Sequence, residues 1–481
     1  MSTLIKNAEI ITMEVDKGIV KGSIFIKDGK ISNIFPHEKG QACPNVDATE
    51  VIDANWDIVM PGMTNAHYHS YSNLLKGTEN NLPLEIWSLY TVAYGHSLTD
   101  EDIYLAVLLG AAEMIRSGVT GCIDHFPHID RIDAALKAYE ESGMQVSLAP
   151  MMQDISDEQF LDIPLPDYIL EKRETKEPKS INEIRAFYKN IIKKWHKKNG
   201  KIHMMLGPNA PQRCSNDTLS LCKELSVEFD LKVHTHLLET KIQEEVGRDK
   251  YFNGLIGRLN DQDLLNDKLS VAHAVWLNDS EIEKLRDKQV SIIHNPASNM
   301  ILGSGIAPIS TYVKNSMRVG IGTDATNCGT THNHFETMRL AAMVSRVSNL
   351  EYRDWLQALD VLEMATVSGA NMMAYDNYRG KISRGYDADL VLLNRNTTKL
   401  AEANDLISQL VFHENGQSVD SVMIKGKWVL RNKRILAFDE QKIIERVQQR
   451  SKDIMENSRQ ALKMAEELEP YFDKFYQDFY K

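Results

Sequence analysis

The chain opens on alternation. In LIKNAEIITM and again in GIVKGSIFIKDGKISNIF, apolar residues recur at about every second position, the period of a strand with one buried face. Asp28-Gly29 lies inside the second run and is a hairpin signal, because both residue types accept the positive φ of a tight turn. The same pattern returns near the other end, in DADLVLLN and VDSVMIKGKWVLRNKRIL, with Lys425-Gly426 and Arg431-Asn432 as turn residues. The two terminal stretches are expected to pair into one small β domain.

Between them the period changes. Eight short apolar or β-branched runs can be read: DIVMPGMTNAH, VTGCIDH, QVSLAPM, KIHMMLGP, LKVHTHLLE, LSVAHAVWL, QVSIIHNP and RVGIGTD. They alternate with segments such as DEDIYLAVLLGAAEMIRSG and RIDAALKAYEESG, which space apolar residues three and four apart and stop at Gly, as amphipathic helices do. Repeated strand-helix units predict an α/β fold with a parallel sheet, and eight of them predict a TIM-type (β/α)8 barrel. Beside it stands a small β-sandwich built from both terminal regions. The expected divisions are residues 1–57 for the N-terminal part of the sandwich, 58–378 for the barrel, 379–436 for the C-terminal part, and 437–481 for a helical tail. Residues from about Asp154 to Lys201 are too many for one βα connection and read as an inserted loop with one helix, of the sort that shapes a pocket. The tail, charged and helical in period, reads as one or two helices on the outside or on a partner subunit.

Composition narrows the class. Hydrophobic residues at 43% and charged residues at 25% are ordinary for a globular protein. A net charge of -12, without a long Lys/Arg run, disfavours nucleic acid and anionic membranes as partners. Five cysteines, odd in number and without a CxxC pair, read as reduced thiols. No stretch approaches the roughly 18 apolar residues of a membrane span. A cytoplasmic location is expected.

The chemistry gathers at the ends of the predicted strands. In a parallel barrel these ends converge on one mouth. The first run ends in His67 and His69, two apart and so on one face of the strand; the fifth in His234, His236 and Glu239; the sixth carries His273, the seventh His294 and the eighth Asp324. A lone His is usually a hydrogen-bonded core residue, but neutral imidazoles and a carboxylate collected at one mouth are what a divalent metal requires. The fourth run, KIHMMLGP, offers no anionic bridging ligand at its end, so one metal is the simpler reading, held by His67, His69, His236 and Asp324 with a position left for water. Hydrolysis also needs a proton shuttle, and Glu239, three residues past His236, is the candidate. His273 and Asp324 could orient the attacking water, while His234 reads as a supporting residue. Imidazole and carboxylate ligands suit zinc and also iron.

PGMTNAHYH, AAEMIRSGVTGCIDH, HTHLLET, VAHAVWL, HNPASNMILGSGIAPI and GIGTDAT together resemble the amidohydrolase superfamily, in its deaminase branch with one metal, over nearly the whole chain. Within it the sequence is similar to S-adenosylhomocysteine and methylthioadenosine deaminases, guanine deaminase and the triazine aminohydrolases and chlorohydrolases. The resemblance implies water addition to an amino-bearing carbon of a small nitrogen heterocycle (purine, pterin or triazine), with Glu239 protonating the ring nitrogen and then the leaving amine. It also implies a homo-oligomer. Adenosine-type members carry a Glu for the ribose hydroxyls shortly before the helix that begins LTDEDIY; the nearest equivalents by position are Gly95 and His96, which disfavours a nucleoside. Gln212 and Arg213 are candidate substrate contacts, Arg213 toward an anionic or carbonyl group, with a surface ion pair as its ordinary role. Asn295, Ser298 and Asn299 read as loop-fixing. A chlorohydrolase or an amide or amidine hydrolase would use the same site, and an inactive binding subunit would have no need of Glu239.

Overall fold

The computed structural model describes residues 2–481 except 42, 44, 80, 173–178 and 375–377. Strands β1 (Ser2–Ile11), β2 (Ile19–Lys27), β3 (Lys30–Pro36), β4 (Glu50–Asp53) and β5 (Ile58–Pro61) come from the N-terminal region. They join β15 (Leu390–Leu393), β16 (Val419–Ile424), β17 (Lys427–Arg431) and β18 (Arg434–Ile435) in one nine-stranded sheet, ordered β18-β17-β16-β15-β5-β1-β2-β3 with β4 on β1. The seam between the two ends of the chain is the antiparallel pair β5/β15. The predicted hairpins form at Asp28-Gly29 (φ 50° and 79°) and Lys425-Gly426 (φ 47° and 74°), the left-handed pairs that match strand twist. The sheet has its own core, including Ile5, Ile10, Ile24, Leu390 and Met423.

All eight internal runs form strands that pair in parallel. β6 (Met63–Tyr68), β7 (Val119–Phe126), β8 (Gln145–Met152), β9 (Ile202–Met204) and β10 (Gly207–Pro208) make one sheet. β11 (Val233–Leu237), β12 (Leu269–His273), β13 (Ser291–His294) and β14 (Val319–Ile321) make the other, in sequential order. Single parallel bridges, Leu206 to Val233 and Tyr68 to Asp324, join the edges of one sheet to those of the other. The helix expected over DEDIYLAVLLGAAEMIRSG forms as α2 (Asp100–Arg116), preceded by a helix the sequence reading did not name, α1 (Leu84–His96); the Thr99 side chain accepts from Asp102 N while the Asp102 carboxylate accepts from Thr99 N. A helix at Ile132–Ser142 ends on Gly143 at φ 73°, a left-handed stop that glycine adopts without strain.

Two details depart from the sequence reading, and a third settles between its alternatives. DIVMPGMTNAH is two strands, not one: Ile58–Pro61 pairs in the terminal sheet and Met63–Tyr68 in the parallel sheet. The run carries no mark of which sheet each half joins. The break is Gly62, where the backbone crosses against Thr120. The 154–201 insertion holds, among its described residues, two short helices (Asp157–Phe160, Asp167–Lys172) besides the expected one (Ile181–Trp195). The tail is one 40-residue helix, Glu440–Phe479, packed on α1 and α2 of its own chain. Arg450 pairs with Asp102 at 2.9 Å, Ser458 Oγ lies 2.8 Å from Ser97 Oγ, and the Tyr90 hydroxyl donates to Glu469. No helix among the described residues is long and apolar enough to cross a membrane.

A Cβ at position 62 would lie 2.2 Å from Thr120 Oγ1 and 2.3 Å from its Cγ2. Gly62→Val is therefore expected to cost about 1–3 kcal/mol, as overpacking does, read as a lowered denaturation midpoint. A midpoint equal to wild type would mean that the crossing has room to spare.

Candidate metal centre

The strand ends bring the predicted residues together, and the hydrogen bonds around them fix which nitrogen of each ring faces inward. Ser270 Oγ donates to the Val233 carbonyl at 3.2 Å, so it accepts from His234 Nδ1 at 2.9 Å. His234 Nε2 is then an acceptor, and His67 Nδ1 donates to it at 2.8 Å. His69 Nδ1 donates to the His125 carbonyl at 2.6 Å, and His236 Nδ1 to the Asn209 carbonyl at 2.8 Å. With every Nδ1 committed as a donor, the Nε2 atoms of His67, His69 and His236 carry bare lone pairs.

These lone pairs converge on each other and on Asp324. His69 Nε2 lies 3.3 Å from His236 Nε2, and Asp324 Oδ1 lies 3.2 Å from His69 Nε2 and 3.5 Å from His67 Nε2. Four acceptors facing one another in a buried space repel unless a cation lies between them. Ligands roughly 2.0–2.1 Å from a tetrahedral Zn2+ stand about 3.3 Å apart, so the spacing fits the ion. His67, His69 and Asp324 form one group able to hold a metal. Burial pushes the His67 imidazole down to about 4, and burial with neighbouring imidazoles holds His234 and His236 far below the ordinary range. Neutral rings are the metal-binding form. Burial alone would raise the Asp324 carboxyl, but the facing His67 and His69 lower it. Burial lowers His69 too, but the contact with Asp324 outweighs it and raises this ring, so a proton on His69 Nε2 takes the cation's place until a metal ion displaces it. Asp324 and His273 both sit at left-handed φ, 60° and 74°, backbone strain of the kind that concentrates at functional sites.

Glu239 and His273 stand beside this group. His273 Nε2 lies 3.6 Å from Glu239 Oε2 and 3.6 Å from Asp324 Oδ2. Its Nδ1 donates to Asn299 Oδ1 at 2.9 Å, and the Asn295 amide lies 3.4 Å away, so these two Asn do fix geometry, though of a ring as much as of a loop. Burial raises the Glu239 carboxyl, with the nearby Asp324 adding to it. One Glu239 oxygen has no partner in the protein. His294, by contrast, is a buried core ring with neither nitrogen hydrogen-bonded.

The outer pocket holds Gln212 and Arg213. Gln212 is buried with its Oε1 unpartnered. Arg213 is bound at both forks by Asp157, Nε and Nη2 each donating at 2.7 Å, and by Asn209 Oδ1 at 3.2 Å. The ion pair anticipated as its ordinary role forms, inside the pocket wall rather than on the surface.

Three residues escaped the sequence reading. Asn209 orients His236, and GPNAP carries no sign of it beyond its place at a strand end. His125 sits at the end of β7 among the His67, His69 and His236 rings, in a run read only as a strand. Glu85, in the first turn of α1, is buried; Thr240 Oγ1 donates to it at 2.6 Å and its second oxygen has no partner. Burial, with Asp157 and Glu239 nearby, pushes its carboxyl up to about 7.

Residues 58–429 match the Amidohydrolase family. A 5'-deoxyadenosine deaminase of Methanosarcina mazei is 32% identical over 455 residues, 94% of this chain and 98% of that protein. A 5-methylthioadenosine/S-adenosylhomocysteine deaminase of Acetivibrio thermocellus is 33% identical over 459 residues, 95% of this chain and 100% of that protein. The fold is that of an adenosine deaminase from Xanthomonas campestris solved with bound zinc, at TM-score 0.84 and 23% identity, covering 94% of this chain and 98% of the other.

His234→Ala removes the acceptor that holds His67 Nδ1 without touching the facing nitrogens. Metal affinity is expected to fall about 10–100-fold, measured by competition with a chelator. An unchanged affinity would mean that the ring is held by packing alone.

Proposed function

Since the chain belongs to the amidohydrolase family, we propose that it is a hydrolytic deaminase of adenine nucleosides altered at the 5' position, working with one zinc ion per chain. The observation that carries the reading is the convergence of three bare Nε2 atoms and Asp324 beside the buried acid Glu239. His67, His69, His236 and Asp324 hold the metal. When bound, it supplies the Lewis acidity that lets a water ionise near neutral pH. Asp324 Oδ2 and His273 Nε2 orient that water toward C6 of the purine. Glu239 gives its proton to the adjacent ring nitrogen, takes up a proton released by the adding water and passes it to the departing amino group, which leaves as ammonia; the remaining hydroxyl proton returns to Glu239, a carboxyl that burial raises.

Support for a nucleoside comes from the relatives, which are named as deaminases of adenosine derivatives; Glu85 lies next to the pocket-lining Leu84 but is buried behind the lining, and Gly95 and His96 supply no acid. Gln212, with its own unpartnered oxygen, is a further substrate contact; Arg213, committed to Asp157, is a structural one.

For the architecture, we read the two parallel sheets as a closed (β/α)8 barrel, with the nine-stranded sheet folded over its own core as the small sandwich and the C-terminal helix as a third unit. The free cysteines fit a reducing compartment, the cytoplasm.

Glu239→Gln is expected to retain its metal and lose about 100- to 10,000-fold in kcat, measured by ammonia release with elemental analysis of the same sample. Full activity in that variant would remove Glu239 from proton transfer. Across aminopurines, adenine nucleosides, pterins and aminotriazines, the 5'-modified adenine nucleosides should give the highest kcat/KM; a triazine or guanine optimum would overturn the substrate reading.

A further inference from the structure

The cavity that opens from the metal ligands is about 1120 Å3, and its outer part is not built by the strand ends. One stripe of the C-terminal helix lines it, starting from Asn457 and Gln460 and turning apolar at Met464, Ala465, Leu468 and Phe472. Opposite stand Ile163 and Leu165 of the insertion. The helix is held in place by the Arg450–Asp102 and Ser458–Ser97 contacts and by Tyr90 on Glu469, so the stripe is part of the resting structure.

We propose that this helix is a specificity element: it forms the wall against which the 5' substituent of the nucleoside packs, and it selects an uncharged, apolar substituent over a zwitterionic amino-acid tail. The inference rests on the nucleoside reading above. With the purine fixed at Glu239 and the metal ligands, the far end of the substrate points to the mouth of the cavity, where the helix lies. An anionic tail would need an uncommitted cation there. Among the described residues, the basic side chains lining the cavity, apart from its histidines, are Arg213 and Lys172; Asp157 takes the first at 2.7 Å and Glu467 the second at 3.1 Å. A methylthio or methyl group needs only the apolar stripe, and fit in such a pocket is worth roughly 10- to 200-fold in kcat/KM.

The test uses the full-length, metal-loaded enzyme with three substrates that share one base: adenosine, 5'-methylthioadenosine and S-adenosylhomocysteine. Wild type should favour methylthioadenosine over S-adenosylhomocysteine by about tenfold or more in kcat/KM. Met464 is only partly buried, so Met464→Lys should fold. It is expected to raise KM for methylthioadenosine about tenfold at constant kcat, to leave adenosine within about twofold, and to narrow the gap to S-adenosylhomocysteine. Met464→Gln should move the same way by less, which covers a failure of the lysine variant to fold, and Met464→Leu should restore the wild-type profile. A preference for S-adenosylhomocysteine in wild type, or an equal loss on all three substrates in the variants, would overturn the role of the helix while leaving the deaminase reading intact. Wild-type enzyme inert toward all three would instead overturn the nucleoside reading on which the inference rests.

Discussion

Everything in this molecule is subordinate to the donation of an imidazole Nδ1–H to an acceptor at or beside a strand end. Two of these bonds go to backbone carbonyls, of His125 and Asn209, and one goes through His234 and Ser270 to the Val233 carbonyl. A carbonyl is a fixed acceptor, so the strand backbone decides the tautomer of each ring and turns its other nitrogen inward. The buried acceptors then face one another at about 3.3 Å, an arrangement that a folded protein without a cation would relax. Parallel strands ending at one level are the framework that lets distant parts of the chain meet that requirement together.

The fold was legible because its signals are periodic. Alternation marked both terminal stretches, and the change to helical spacing marked the strand-helix units between them. The candidate metal ligands were legible for a related reason: His67 and His69, two apart, must share a face of a strand, and the other strand ends supplied the partners. Periodicity said nothing about residues whose importance comes from a neighbour. Asn209 acts through a carbonyl that every residue owns, and Glu85 lies in a helix turn far in sequence from Thr240 and Glu239. In the run from Ile58 to Tyr68 the Pro61-Gly62 pair marks a break but not which sheet each half joins, and that division became visible only with the structure.

Charge in the pocket is arranged economically. Asp157 neutralises Arg213, and Asp324 is ionised against imidazoles, whereas Glu239 and Glu85 keep raised carboxyls in the same enclosure. Carboxyl groups sharing one cavity thus differ in protonation through their neighbours alone. That separation lets one of them support a cation while another carries a proton.

The seam at β5 and β15 also sets an order of events. β5 runs directly into the strand that ends in His67 and His69, yet its antiparallel partner is made only after the whole central region has left the ribosome. Such long-range pairing forms late, because the intervening chain must first be closed into a loop. The nascent N-terminal half therefore holds its two histidines downstream of a strand that is paired on one side only, with β1. The other side of β5 is covered only when Leu390–Leu393 arrives, so a chain released before that point keeps an open edge in the middle of its terminal sheet.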